Sequence, residues 1–100
     1  MTGDDRLTEA AHHAAHALAD ARARLLRLRA ACDFGIARIE AGEAPPPLAM
    51  AGAPTFAEDA RGVVDALAAV TTLRAVFGEA LDAPTREALA VRLGGLREAG

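Results

Sequence analysis

Residues 7–39 read LTEAAHHAAHALADARARLLRLRAACDFGIARI, and this stretch decides the fold. Small or apolar side chains recur in it at alternating spacings of four and three over more than four heptads. They are Leu7, Ala11, Ala14, Leu18, Ala21, Leu25, Leu28, Cys32, Gly35 and Ile39. A heptad repeat of this length is typical of a helix that packs as in a coiled coil. The sequence therefore predicts a first helix over about residues 5–41, which Gly42 and Pro45 end.

A proline-rich connector is expected after this helix. Residues 42–54 contain four of the five prolines, and three successive prolines favour an extended conformation. The apolar residues Leu48 and Met50 within it are expected to pack on the nearest helix ends. The connector is long enough to reverse the chain within one molecule or to reach a second subunit, and the sequence leaves both arrangements open.

Two shorter helices follow the connector. Thr55 and Glu58 have the spacing of a capping box, so a second helix is expected over about residues 55–81. The pair Asp82 and Pro84 suits the start of a third helix, expected over about 84–98. We expect helix 2 and then helix 3 to pack back along helix 1. The result is a long antiparallel hairpin with a short third helix, in one domain spanning residues 1–100.

Composition favours helices and self-association. The chain has 100 residues, a net charge of -3 and 52% apolar residues, but 27 of those residues are alanine. Because alanine buries little area, the core of a single chain must be thin. Alanine is also the best helix former, and Trp and Tyr are absent, so the sequence predicts an all-α fold. Helix 2 is apolar on more than one stripe, which favours assembly into an oligomeric helical bundle.

The pattern predicts a non-enzymatic interaction module. An adaptor, a regulatory subunit and an assembly factor or chaperone all fit a helical chain that self-associates and docks a larger protein partner. The expected interface consists of large apolar residues of helices 1 and 2: Leu18, Leu25, Leu28, Val63, Leu67, Val70 and Phe77. Cys32 lies on the heptad seam, where a small apolar residue belongs, so a buried thiol is expected.

One cluster on helix 1 has the residue types of a metal site: Glu9, His12, His16 and Asp20. Two histidines four residues apart can bind one Zn²⁺, Ni²⁺ or Cu²⁺, with a neighbouring carboxylate as a third ligand. The heptad assignment places all four on the solvent side, and neither of the later helices has a matching cluster. We therefore favour a solvated polar face and expect no cofactor. A metal-binding helical bundle is the alternative function.

The densest basic run consists of Arg22, Arg24, Arg27 and Arg29. Contact between these arginines and phosphates would make the chain a nucleic-acid-associated regulator, which is the second alternative. However, they flank both sides of the seam, and the chain is acidic overall, which argues against nucleic acid as a partner. Pairing with Asp59, Asp65 or Glu79 across the helices is the expected role.

The sequence contains no motif that indicates an enzyme, a disulfide-bonded protein or a membrane-spanning protein. The chain has no serine and no glycine-rich phosphate loop, so no catalytic arrangement is expected. A single cysteine cannot form a disulfide within the chain. The first five residues are acidic rather than basic, and no run approaches about 20 apolar residues. We expect a cytoplasmic protein with no membrane span.

Overall fold

The computed structural model describes residues 3–43 and 55–99, and the side chains of residues 5–43 and 55–94. Helix α1 spans Gly3–Glu40, α2 spans Phe56–Phe77 and α3 spans Asp82–Ala99. A 3-10 helix, Gly78–Leu81, connects α2 to α3. The residues in these ranges form helices and short turns and no strand, so the predicted all-helical fold is confirmed. Most of the predicted connector, with Leu48 and Met50, lies outside the described residues.

Helix α1 ends at the glycine that the sequence indicates. Gly42 has a φ of 80°, the left-handed conformation that glycine adopts without steric cost. Its N–H donates to the carbonyl of Ile39 at 3.0 Å, and the N–H of Glu43 donates to the carbonyl of Arg38 at 2.9 Å. These two bonds are those of a Schellman motif. The side chains of Arg38 and Glu43 also form an ion pair at 2.8 Å.

The start of α2 differs from the prediction. Thr55 has near-helical torsions, with φ -94° and ψ -3°, and its side chain makes no capping hydrogen bond. A capping residue needs an extended backbone to bring its hydroxyl to the free amides, so the capping-box prediction is wrong. Instead, the backbone carbonyl of Thr55 accepts a bond from the N–H of Asp59 at 2.7 Å.

The second helix also ends earlier than the predicted residue 81. Gly78 has a φ of 67°, and its N–H donates to the carbonyl of Arg74, which closes α2 at Phe77. The next four residues form the 3-10 helix, and α3 begins at Asp82, two residues before the predicted start. Asp82 lies in the first turn of α3, where a carboxylate interacts favourably with the helix dipole.

Helices α1 and α2 pack against each other in antiparallel directions. Asp59, in the first turn of α2, bonds Arg24 and Arg27 in the middle of α1. Phe77, at the other end of α2, packs near the start of α1, against the cluster around Ala10. The predicted antiparallel hairpin is therefore formed within one chain.

Helix α3 packs on the N-terminal half of α1, the half that α2 also covers. Thr8 and His12 of α1 line the same surface depression as Pro84 and Val91 of α3. The prediction that helices 2 and 3 lie end to end along helix 1 is wrong. Gly78 and the short 3-10 helix change the direction of the chain near the N-terminal end of α1, and α3 returns to the half of α1 that α2 already covers.

The core consists mainly of alanine. The buried apolar residues in the described part of the chain are Ala10, Ala11, Ala14, Ala15, Ala21, Ala31, Ala66 and Leu81. Leu81, at 2% exposure, is the one large side chain among them, and it packs with Ala10, Ala11 and Ala14 of α1. The small side chains let the helices approach closely, and little apolar area is removed from water.

Candidate protein interaction surfaces

The seven residues expected at an interface occupy different environments. Leu18, Leu28 and Val63 are half-buried. Val70 and Phe77 are also half-buried and pack against the core around Leu81. The remaining two, on α1 and α2, are about half exposed: Leu25 and Leu67. The structure therefore leaves two of these large side chains well exposed and directs two others inward.

The heptad seam follows the packed side of α1 only in its N-terminal half. The seam residues up to Ala21 are buried or half-buried. Beyond this point the seam residues Leu25, Cys32 and Ile39 are exposed. The residue before each of them is less exposed and lies on the packed side: Arg24, Ala31 and Arg38. The prediction is therefore wrong for these three positions, because α2 approaches α1 from the side that carries Arg24, whereas the seam residues Leu28 and Gly35 are half-buried.

Asp59 is the polar contact that sets this approach. Its carboxylate is nearly fully buried and accepts bonds from Nη1 of Arg24 at 3.1 Å and from Nε and Nη2 of Arg27 at 3.0 and 2.8 Å. Nη1 of Arg24 also donates to the carbonyl of Glu58 at 3.4 Å, and its Nε donates to Asp20 at 2.8 Å. The expected pairing of helix 1 arginines with Asp59 is confirmed for Arg24 and Arg27.

The two guanidinium groups hold the pKa of the Asp59 carboxyl below its usual value. The hydrogen bonds from Arg27 make the largest contribution, and the positive charges of Arg27 and Arg24 add to it. Burial opposes this shift, but less strongly. Asp59 is therefore ionised at neutral pH, and the charge pairing across α1 and α2 persists there.

Gly62 is a residue that sequence reasoning missed. A β-carbon at this position would overlap the end of the Arg24 side chain in its present conformation, so Arg24 would have to shift to accommodate any other residue. A glycine inside an alanine-rich helix is itself a signal, because it costs about 1 kcal/mol of helix propensity relative to alanine. Gly62 therefore marks the close approach of α1 and α2.

An exposed apolar strip runs along the C-terminal half of α1. We call it the α1 face, and it consists of Leu25, Cys32, Ile36 and Ile39. The aliphatic members are between 49% and 61% exposed. The Cys32 thiol is exposed as well, which corrects the expectation of a buried cysteine. The reason is the shift of packing to Ala31, which turns Cys32 away from α2.

A second apolar strip lies on the outer side of α2. This α2 face consists of Val64, Leu67, Thr71 and Ala75, and its large aliphatic members, Val64 and Leu67, are 66% and 47% exposed. Both threonines of this helix bond back along it: Thr71 donates to the carbonyl of Leu67 at 2.9 Å, and Thr72 to that of Ala68 at 3.0 Å. The hydroxyls are thus satisfied within the helix, and the methyl groups remain for apolar contacts.

The histidine cluster lies on the solvent side of α1. Glu9, His12, His16 and Asp20 are all exposed. No group of three or more His, Cys, Asp or Glu side chains within the described residues is arranged to hold a metal ion. Asp20 instead accepts the bond from Arg24.

The four arginines of the basic run divide between two roles. Arg24 and Arg27 are held by Asp59, whereas Arg22 and Arg29 are exposed on another side of α1. Farther along the chain, Arg74 of α2 bonds both carboxylate oxygens of Asp82 at 3.1 and 3.2 Å. These bonds lower the pKa of Asp82 and hold the corner between α2 and α3.

Comparison with known proteins gives no relative for this chain. No family model, no curated protein and no solved structure matches it significantly. Among the described helices, none combines the length and the apolar character that crossing a membrane requires. The surfaces described above are therefore the features of the chain that bear on its function.

Proposed function

We propose that this chain is a non-enzymatic helical interaction module that self-associates and docks a larger protein partner. In this proposal the α1 face joins copies of the chain, and the α2 face receives an apolar helix of the partner. An adaptor, a regulatory subunit and an assembly factor are the roles that such a module can serve.

The distribution of apolar side chains is the observation that carries the proposal. The buried positions are filled mainly by alanine, while most large apolar side chains lie partly or largely in solvent. Those most exposed among the described residues are Leu25, Leu26, Phe34, Ile36, Ile39, Val64, Leu67, Val76 and Val91. Contiguous exposed apolar surface is typical of sites at which another protein binds.

The chemistry of the α2 face suits a helical partner. Residues 66–73 carry no charge on any side of the helix, so an approaching helix meets no ionised group there that would lose its hydration. Val64 and Leu67 are the large anchors of the face, and Thr71 presents its methyl group beside them. Small and branched side chains of this kind allow a second helix to pack closely.

No observation on the described residues favours the metal-binding or the nucleic-acid alternative. The histidine cluster brings no third ligand to one point, and half of the basic run is engaged with Asp59.

The absolute mass of the purified protein tests self-association. Light scattering coupled to size exclusion, over a range of protein concentrations and with and without a chelator, is expected to show a dimer or larger species that a chelator does not change. A monomer at every concentration would contradict self-association. A species that dissociates with chelator would support the metal-binding bundle instead.

Photo-crosslinking in the native cells tests docking. A photoreactive amino acid at Leu67 is expected to form an adduct with one defined protein, which mass spectrometry identifies and which binds again when both proteins are purified. The matched control carries the same group at His16, which is exposed on a polar surface. Equal adducts at both positions, or no binding by the purified partner, would contradict the assigned surface.

A further inference from the structure

We infer that the α1 face pairs with the same face of a second copy in the antiparallel direction, about a two-fold axis that passes beside Cys32. This inference rests on the self-association in the proposed function and specifies its geometry. Its starting point is a conflict between sequence and fold: the heptad repeat continues to Ile39, yet α2 leaves the residues Leu25, Cys32 and Ile39 of that repeat exposed.

The apolar residues of the α1 face are arranged symmetrically about Cys32. Leu25 lies seven residues before it and Ile39 seven residues after it. In an antiparallel pair centred on Cys32, each Leu25 lies opposite Ile39 of the second copy. Leu28 and Ile36, four residues to either side, lie opposite each other in the same way. Each large aliphatic residue of the α1 face therefore meets a large aliphatic residue of the second copy, and Ile36 meets Leu28, which lies half-buried beside the face.

A charged row runs beside the α1 face, and its order along the helix is the second observation. This charge row consists of Arg22, Arg29, Asp33 and Glu40, which lie within about 40° of each other around the helix axis at 100° per residue. All four are exposed. Arg29 and Asp33 approach each other within the chain at only 3.8 Å, and each is more than two-thirds exposed. The row therefore has two positive charges followed by two negative charges, available for other contacts.

This order is complementary to itself only when the helices run in opposite directions. In the antiparallel pair the row faces its own reverse, so Arg29 lies within two residues, about 3 Å along the axis, of Asp33 in the second copy. Arg22 has the same relation to Glu40. In a parallel pair the row would face the other flank of α1, which carries Arg24 and Arg38. Arg22 would then meet Arg24, which is unfavourable, and only Glu40 would meet an opposite charge, at Arg38.

The two patterns have centres only one residue apart, and this identifies the occupant as a second copy. The apolar strip is symmetric about residue 32, and both charge pairs are symmetric about residue 31. A surface that complements itself about one point is what a two-fold, isologous interface requires. A different protein would have no reason to match this symmetry.

Crosslinking between single cysteines tests the register. In a Cys32→Ala background, one variant carries Leu25→Cys and another carries Ile39→Cys. A short bis-maleimide is expected to join the two variants when they are mixed, and to join neither to itself. Two copies of position 25 lie fourteen residues apart in the antiparallel pair, about 21 Å along the axis. The native Cys32 is expected to crosslink to itself. Leu26→Cys in the same background is the control, because position 26 is exposed but lies off the α1 face.

Exchange of charges tests the direction independently. Arg29→Glu alone and Asp33→Arg alone each place like charges opposite one another in an antiparallel homodimer, so each is expected to dimerise less tightly. Mixing the two variants restores opposite charges at both contacts, and heterodimers are expected to exceed the statistical half of all dimers at low salt. The contacts within each chain are the same before and after mixing, so chain stability cannot cause this preference.

The outcomes separate this inference from the proposed function. A dimer in which position 25 crosslinks to itself would show parallel pairing and overturn the inference. A dimer that crosslinks at neither Cys32 nor the 25 and 39 pair would show that another face is used, and would also overturn it. Both results would still be consistent with self-association. A monomer throughout would contradict both proposals.

Discussion

Asp59 and Gly62 are the residues through which α1 and α2 fix their relative position. Asp59 supplies a buried carboxylate for two arginines, and Gly62, one helical turn later, leaves the space that Arg24 needs. Charge pairing at a buried carboxylate is directional, so it selects one placement of α2 among the several that an alanine surface would accept. The weakly specific alanine core and the specific polar contact therefore have different roles.

Gly62→Ala is expected to stabilise the protein by less than the gain in helix propensity alone. The added β-carbon forces the flexible end of Arg24 to shift from its bonds to Asp20 and Asp59, which offsets part of that gain. Gly94→Ala is the matched control, because a β-carbon there meets no atom within 4 Å. That variant should gain about 0.5–1 kcal/mol. Urea denaturation at one protein concentration compares the two, and a gain of the same size in both would show that Arg24 is not held by this contact.

Acid is expected to weaken the contact between α1 and α2. The pKa of Asp59 is lower in the folded protein than the ordinary value of 3.8. Its contribution to stability is therefore fully present above about pH 4, and it is lost as the pH falls through the folded pKa. Asp82, held by Arg74, follows the same rule.

Asp59→Asn tests this contribution. The variant should unfold at a lower temperature than the wild type at pH 7, because two arginines lose their carboxylate. The difference should shrink as the pH is lowered through 4 toward 2. Asp65→Asn, on the exposed side of the same helix, is the control. A difference that stays constant from pH 7 to pH 2 would contradict the charge pairing at Asp59.

At the scale of elements, the 3-10 helix between α2 and α3 supplies Leu81, the one large apolar side chain that is buried among the described residues. Leu81→Ala is expected to cost about 2–5 kcal/mol, because it leaves a cavity against three alanines that cannot expand to fill it. Val91→Ala, on an exposed position of α3, should change stability by less than about 0.5 kcal/mol. Leu81→Met keeps the volume and should cost less than about 1.5 kcal/mol. Urea denaturation distinguishes these values, and equal effects at 81 and 91 would contradict the assigned core.

The sequence predicts that these helices exist more reliably than it predicts which face of each helix is packed. Local chemistry fixes the end of α1, because Gly42 can adopt the conformation that closes a helix. Which of two neighbouring rows of α1 packs against α2 is not decided by residues nearby in the sequence. In the N-terminal half, alanines such as Ala10 and Ala11 make both rows small enough to be buried. Farther along, Leu25 is more apolar than Arg24, yet Arg24 lies on the packed side because Asp59 bonds it from 35 residues away. Periodicity alone contains no information about that partner.

For the whole molecule, the proposed self-association would make stability depend on protein concentration, because the core is thin and large apolar side chains are exposed. A 38-residue helix, about 57 Å long at 1.5 Å per residue, sets the 60 Å length of the chain, and its C-terminal half leaves large apolar side chains in solvent. Burying them in a dimer stabilises the folded state by mass action, so the melting temperature should rise with protein concentration. Each kcal/mol per chain corresponds to roughly 4–8 °C for a domain of this size.

The melting temperature of the wild type is therefore expected to rise by several degrees over a hundredfold increase in concentration. The double variant Ile36→Glu and Ile39→Glu should melt at one temperature throughout, because dimerisation would bury both carboxylates of each copy against Leu28 and Leu25 of the other. Val91→Glu adds a charge at an exposed position outside the α1 face, and should keep the dependence of the wild type. Calorimetry over the same concentrations measures all three proteins. If the double variant retained the dependence, the stabilising contact between copies would lie on a surface other than the C-terminal half of α1.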